Sequence, residues 1–128
     1  MKIYINGKFY SREDAKISVF DHGLLYGDGV FEGITFYNGK VFRLVQHIRR
    51  LYESAQTIAL KIPMSVGKMI EEVKKTVEVN ELKNGYIRLL VTRGVGKLGL
   101  NPFTCETPSI IIIVDKLSLY PQALYETG

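Results

Sequence analysis

The amino-acid sequence predicts an α+β fold: an antiparallel sheet with two helices packed on one side. Three observations carry this expectation. Two Asn-Gly dipeptides sit between β-rich runs in the first third of the chain. Two stretches with helical spacing of apolar residues follow. The last third returns to alternating and β-branched runs typical of strands.

Asn6-Gly7 joins Lys2–Ile5 to Lys8–Tyr10, and Asn38-Gly39 joins Val30–Tyr37 to Lys40–Arg43. Asn-Gly suits the type I′ hairpin turn, whose two central residues both need positive φ. A further short strand is expected near Ala15–Phe20. Leu44, Ile48, Leu51, Ala55 and Ile58 recur at helical spacing and predict a helix from about Leu44 to Leu60. Pro63 closes the connection, and Ser65 is the expected N-cap of a second helix reaching Val79. Its apolar face is Val66, Met69, Ile70, Val73 and Val77. Tyr86–Arg93 alternates, with Tyr86 and Arg88 on one face and Ile87, Leu89 and Val91 on the other. Ser109–Val114 is continuously β-branched, the pattern of a strand buried on both faces. The intervening loop, Gly94–Pro108, holds three glycines and two prolines, and long loops in compact domains are often functional.

At 128 residues the chain fits one domain, large enough to bury a core without disulfide staples. The single cysteine, Cys105, excludes an internal disulfide and suits a cytoplasmic setting. The first residues read as a strand and turn rather than as a targeting peptide. The longest strongly apolar run, Ile110 to Val114, is too short to cross a membrane. The net charge of +4 comes from scattered lysines and arginines with no basic block, which argues against nucleic acid and suits small anionic ligands. The tail ends without a closing element. The expected organisation is therefore a domain over residues 1–118 and a linker over 119–128, with a further domain beyond.

Three constellations carry possible chemistry. Ser18 to Gly33 is dense in glycines, charges and aromatics, and composition alone reads it as a turn entering a strand. His47, Arg50 and Ser54 line one edge of the first helix. They are either a solvated flank or an anion site, since a guanidinium presents a planar fork to phosphate oxygens. Tyr86 and Arg88 share a strand face, as an exposed polar surface with an ion pair or as a clamp for a carboxylate. With two histidines and one cysteine there is no metal signature, and neither a dinucleotide fingerprint nor a Walker loop occurs.

Taken in order, Phe20-Asp21-His22-Gly23-Leu24-Leu25-Tyr26-Gly27-Asp28-Gly29-Val30-Phe31-Glu32-Gly33, then Tyr37-Asn38-Gly39-Lys40-Val41-Phe42-Arg43-Leu44, then His47, Arg50-Leu51 and Ser54-Ala55, and later Tyr86-Ile87-Arg88, resemble the small domain of the fold-type IV (class IV) aminotransferases. This resemblance implies pyridoxal 5′-phosphate as cofactor, held between this domain and a larger C-terminal one. It assigns Arg50 to the cofactor phosphate and places Tyr26, Phe31, Tyr86 and Arg88 around the substrate. The Schiff-base lysine belongs to the larger domain, so the resemblance implies no catalytic residue in this chain and no turnover by the chain alone.

Within the family, the loop after Arg93 discriminates. D-amino-acid transaminases resemble one another in placing arginine and histidine at the positions of Leu98 and Leu100, and aminodeoxychorismate lyases place arginine and tyrosine there. Two leucines cannot clamp a carboxylate but can cover an aliphatic side chain, at about 25 cal/mol per Å² buried. With Tyr86 and Arg88 present, this is similar to branched-chain amino-acid aminotransferases, which transfer the amino group of leucine, isoleucine or valine to 2-oxoglutarate. Thr35 departs from the pattern, since many such enzymes have arginine there. The resemblance also implies a homodimer, the loop reaching the neighbouring subunit's site. A D-amino-acid transaminase, an aminodeoxychorismate lyase and a free-standing protein-interaction module remain the alternatives.

Overall fold

The computed structural model describes residues 1–117; the expected linker at 119–128 lies outside the described residues. Six antiparallel strands form one sheet in the order β2-β1-β6-β5-β3-β4. The strands are β1 (Ile3–Ile5), β2 (Lys8–Tyr10), β3 (Gly29–Tyr37), β4 (Lys40–Val41), β5 (Gly85–Thr92) and β6 (Ser109–Asp115). Among the described residues three α-helices accompany them, α1 (His22–Tyr26), α2 (Leu44–Thr57) and α3 (Val66–Val79), with a 3-10 turn at Pro102–Thr104. Both hairpins form as expected. φ is 49° and 93° at Asn6 and Gly7, and 52° and 75° at Asn38 and Gly39, all in the region a type I′ turn requires.

Period-two alternation gives the sheet two different faces. Ile34 and Phe36 of β3, Ile87, Leu89 and Val91 of β5, and Ile112 and Val114 of β6 all point toward the helices and are buried. Leu44, Ile48, Leu51 and Ala55 of α2 and Met69, Val73 and Val77 of α3 meet them. Each such side chain contributes about 1.5–3 kcal/mol by leaving water. Ser65 caps α3, its hydroxyl accepting from the Lys68 amide at 3.1 Å.

The structure corrects five expectations. First, no strand forms at Ala15–Phe20. Local bonds hold this segment in turns instead, including Phe20 N to Ser18 Oγ at 3.0 Å, and side-chain bonds of this kind compete with a sheet ladder. Second, α2 stops at Thr57 rather than Leu60. Ala59 adopts φ 54°, and the Arg93 guanidinium donates to the Ile58 and Ala59 carbonyls at 2.7 and 2.9 Å, satisfying the end of the helix. Ile58 is consequently exposed. Third, β4 ends at Val41 because Arg43 turns into a left-handed conformation to start α2. Fourth, β6 is not fully buried on both faces, for Ile113 is only half-covered. Fifth, there is a third helix. The short α1 is capped by Asp21, whose carboxylate accepts from Gly23 N at 2.8 Å and from Thr92 Oγ1 at 3.0 Å.

One edge of the sheet remains open. β3 pairs with β5 along its whole length, but on its other side only Phe36 and Tyr37 pair with β4. Among the described residues no strand covers the outer edge from Gly29 to Ile34.

Candidate functional site

Four of the expected site residues flank β3 near that uncovered edge, Arg50 on one face of the sheet and Phe31, Tyr86 and Arg88 on the other. Phe31, Glu32 and Gly33 are consecutive in β3, so their side-chain positions alternate between the faces.

On the helix side, Glu32 is 5% exposed among the core residues. It is reached by Arg50 and His47, one turn apart on α2. Arg50 donates from Nε to Glu32 Oε1 and Oε2 at 3.1 and 3.0 Å and from Nη2 to Oε1 at 2.7 Å. His47 Nδ1 lies 2.7 Å from Oε1 and donates to it, since an ionised carboxylate only accepts. Burial pushes the Glu32 carboxyl up, but hydrogen bonds and charge from Arg50 and His47 outweigh it and hold it below the usual carboxylate range. The lowered folded value means that this cluster stabilises the fold above the unfolded carboxyl's range, and that its contribution fades as pH falls through the folded value. Glu32→Gln is therefore expected to lower the urea midpoint at neutral pH, the two proteins converging below about pH 4. Midpoints that stay the same distance apart down to about pH 3 would show that the charge of Glu32 contributes nothing. Ser54, the third residue of the expected helix edge, makes no side-chain hydrogen bond among those of the described residues.

On the opposite face, register sets Phe31 beside Leu90, Gly33 beside Arg88 and Thr35 beside Tyr86. The Arg88 guanidinium carbon sits 4.8 Å from the centre of the Phe31 ring and 5.5 Å from that of Tyr86. Among the described residues no carboxylate lies within ion-pair distance of Arg88. The ion pair expected of an ordinary polar surface is therefore not formed, and aromatic faces hold the cation. Gly33 admits the Tyr86 phenol, because a Cβ there would collide with its hydroxyl. The same face carries a cleft of about 440 Å³ lined by Ile17, Leu24, Phe31, Leu90 and Ile111 among others.

Arg50 and the Tyr86–Arg88 couple thus do not meet inside this chain. The sheet lies between them, and they flank the same three residues of β3 from opposite sides.

Tyr26, Leu98 and Leu100 form a third group. Tyr26 Oη accepts from the Gly99 amide at 2.5 Å, between the two leucines in sequence. Leu98 and Leu100 are 72% and 80% exposed, and Phe103 of the same loop is 91% exposed. Asn101 and Thr104 bind the loop to itself, Thr104 Oγ1 accepting from Lys97 N at 3.2 Å and donating to Asn101 O at 3.1 Å. Large apolar side chains on a hydrogen-bonded loop are an exposed patch of the kind that marks a binding surface.

Two residues at the site escaped sequence reasoning. Glu32 was visible as a carboxylate in step with the inward-facing apolar Ile34 and Phe36, a pattern that demands a buried cationic partner. His22 gave no signal, because its partner is a backbone carbonyl 75 residues away.

A Methanocaldococcus jannaschii protein, whose name as a branched-chain-amino-acid aminotransferase is itself provisional, is 59% identical over all 128 residues, which make up 43% of its length. The D-alanine aminotransferase of Staphylococcus aureus (strain MSSA476) is 37% identical over 127 residues, covering 99% of this chain and 45% of that protein. The crystal structure of the branched-chain amino acid aminotransferase of Escherichia coli superposes with a TM-score of 0.86 at 33% identity, covering 93% of this chain and 40% of that one. The chain thus spans less than half the length of the relatives it matches. Residues 29–127, which include the Glu32–Arg50 pair, the Tyr86–Arg88 couple and the leucine-bearing loop, match the family described as Amino-transferase class IV, and the chain belongs to that family.

Proposed function

We propose that the chain is the small domain of a pyridoxal-phosphate-dependent branched-chain amino-acid aminotransferase, a cytoplasmic homodimer whose larger domain supplies the lysine that anchors the cofactor. The observation that carries the reading is the Arg88 guanidinium, held over Phe31 and beside Tyr86 without a carboxylate partner among the described residues. A cation kept in place by aromatic rings and left without a counter-charge is a receptor for an anion. The substrate carboxylate is of the right charge, and the Tyr86 hydroxyl adds a donor.

The donor set on the other face fits a phosphate. Arg50 uses Nε and Nη2 on Glu32, and both N–H groups of Nη1 remain for a phosphate oxygen. Because Glu32 offsets the charge of Arg50, the attraction rests on aimed donors more than on net charge. Arg50 would hold the phosphate from the helix side of β3, while Arg88 and Tyr86 would orient the substrate from the other. When bound, the cofactor supplies the electron sink for moving the amino group. Leu98 and Leu100 cover the aliphatic side chain and exclude water from it. Their exposure in the single chain, together with that of Phe103, supports a neighbouring subunit as their destination.

The experiment is a substrate comparison with the full-length protein: leucine, isoleucine and valine with 2-oxoglutarate, against D-alanine and aminodeoxychorismate. Turnover of the branched-chain set is expected, and Arg88→Ala should raise the substrate KM while cofactor binding is kept. Failure on all three branched-chain substrates would retire the reading. The resemblance to D-alanine aminotransferase at 37% identity favours D-alanine as the second candidate. Against it stand two leucines where such enzymes are expected to carry arginine and histidine.

A further inference from the structure

His22 and Tyr26 stand one turn apart on α1 and both reach the loop that carries Leu98. The His22 ring is 1% exposed and packs edge-on against the Tyr26 ring, with centroids 4.9 Å apart at 80°. His22 Nε2 lies 2.7 Å from the Lys97 carbonyl oxygen. A carbonyl only accepts, so Nε2 carries the hydrogen and donates it. Tyr26 Oη accepts from the Gly99 amide. These two bonds fall on the residues immediately before and after Leu98. Its backbone is thereby held on both sides while its own side chain touches little.

The anchor is itself fixed. The His22 amide donates to Gly94 O at 2.9 Å, the Gly96 amide donates to Phe20 O at 3.1 Å, and Asp21 ties the start of α1 to Thr92 at the end of β5. The ring also lies directly on the loop backbone: a Cβ at Gly96 would come 2.7 Å from His22 Nε2 and 2.6 Å from Cys105 Sγ. A buried imidazole N–H requires an acceptor, and the acceptor that His22 has is the carbonyl of the residue before Leu98.

We propose that His22 is a positioning residue for substrate selection. Through Lys97 O, and with Tyr26 on Gly99 N, it sets how far Leu98 and Leu100 stand from the domain, and so the size of the apolar compartment that receives an aliphatic side chain. The proposal rests on the reading above that these leucines cover the substrate.

The test uses full-length, cofactor-loaded protein and compares wild type with His22→Leu, His22→Gln and Tyr26→Phe. Glutamine retains an N–H donor at similar reach, leucine removes it, and phenylalanine removes only the hydroxyl of a partly exposed ring. Amide hydrogen exchange across residues 96–100 is expected to be about tenfold faster in His22→Leu and in Tyr26→Phe, and close to wild type in His22→Gln. In His22→Leu the KM for leucine should rise about tenfold, more than kcat falls, with cofactor affinity retained and with His22→Gln restoring most of the loss. Should His22→Leu not fold, His22→Gln and Tyr26→Phe decide. Unchanged loop exchange in the folded variants overturns the proposal, and so does a His22→Gln protein whose loop exchanges much faster than wild type. A wild-type protein that turns over D-alanine and not leucine removes the branched-chain reading alone, because the exchange measurement needs no substrate.

Discussion

Arg50→Ala in the full-length protein is expected to weaken pyridoxal phosphate binding by roughly tenfold to a hundredfold, the loss of a charge-assisted hydrogen bond to phosphate. Pyridoxal, which has no phosphate, should bind wild type and variant equally. That comparison isolates the contact from any general disturbance of the site, and it matters here because Arg50 is already bonded to Glu32. Its Nε and one N–H of Nη2 serve Glu32, and the other N–H of Nη2 and both of Nη1 remain for an anion. The substitution also leaves the buried Glu32 with His47 alone. If Arg50 acted only by steadying Glu32, both ligands would lose affinity together. Equal losses for the two would therefore reduce Arg50 to a structural partner, and unchanged affinity for both would make it a surface residue. Titration of bound cofactor by its absorbance reads either result.

Gly94→Ala is expected to cost about 3–5 kcal/mol of stability, among the largest effects of any single substitution here. Gly94 has φ 96°, a conformation that L side chains rarely adopt, and an added Cβ would run into the carbonyl of Thr107. The backbone cannot move aside. Its amide donates to Thr92 Oγ1 at 3.2 Å, and its carbonyl accepts from the His22 amide at 2.9 Å and from Cys105 Sγ at 3.4 Å. Gly7→Ala is the control. It has a similar φ of 93° but no atom within 4 Å of the added carbon, so only conformational strain applies, about 1–2 kcal/mol. Urea unfolding of the two variants separates strain from collision, and equal losses would show that the contact with Thr107 relaxes freely.

Much of the architecture followed from local rules. The Asn-Gly turns, the Ser65 cap and the alternation through Ile87, Leu89 and Val91 each depend on a few neighbouring residues, and each formed where expected. Two of the expectations failed where a distant group overrode the local pattern. α2 ends early because Arg93 draws on the Ile58 and Ala59 carbonyls, and α1 exists because Asp21 finds Thr92 as well as its own helix amides. Five residues with one internal glycine do not announce a helix.

The site divides in the same way. Side-chain type and spacing along one element can be read in one dimension, so the sequence put Arg50 on a helix edge and Tyr86 with Arg88 on one strand face; their expected roles, and the choice of Leu98 and Leu100, came from the resemblance to the class IV aminotransferases. The sequence also settled the two-faced sheet, since alternation at period two follows from strand geometry alone. What it could not settle is which groups share a face once the elements pack. The tertiary structure placed Arg50 on one side of β3 and the Tyr86–Arg88 couple on the other, paired Arg50 with Glu32, and set His22 against Lys97. Those contacts join residues 18 to 75 positions apart, and they exist only after the core has brought their backbones together.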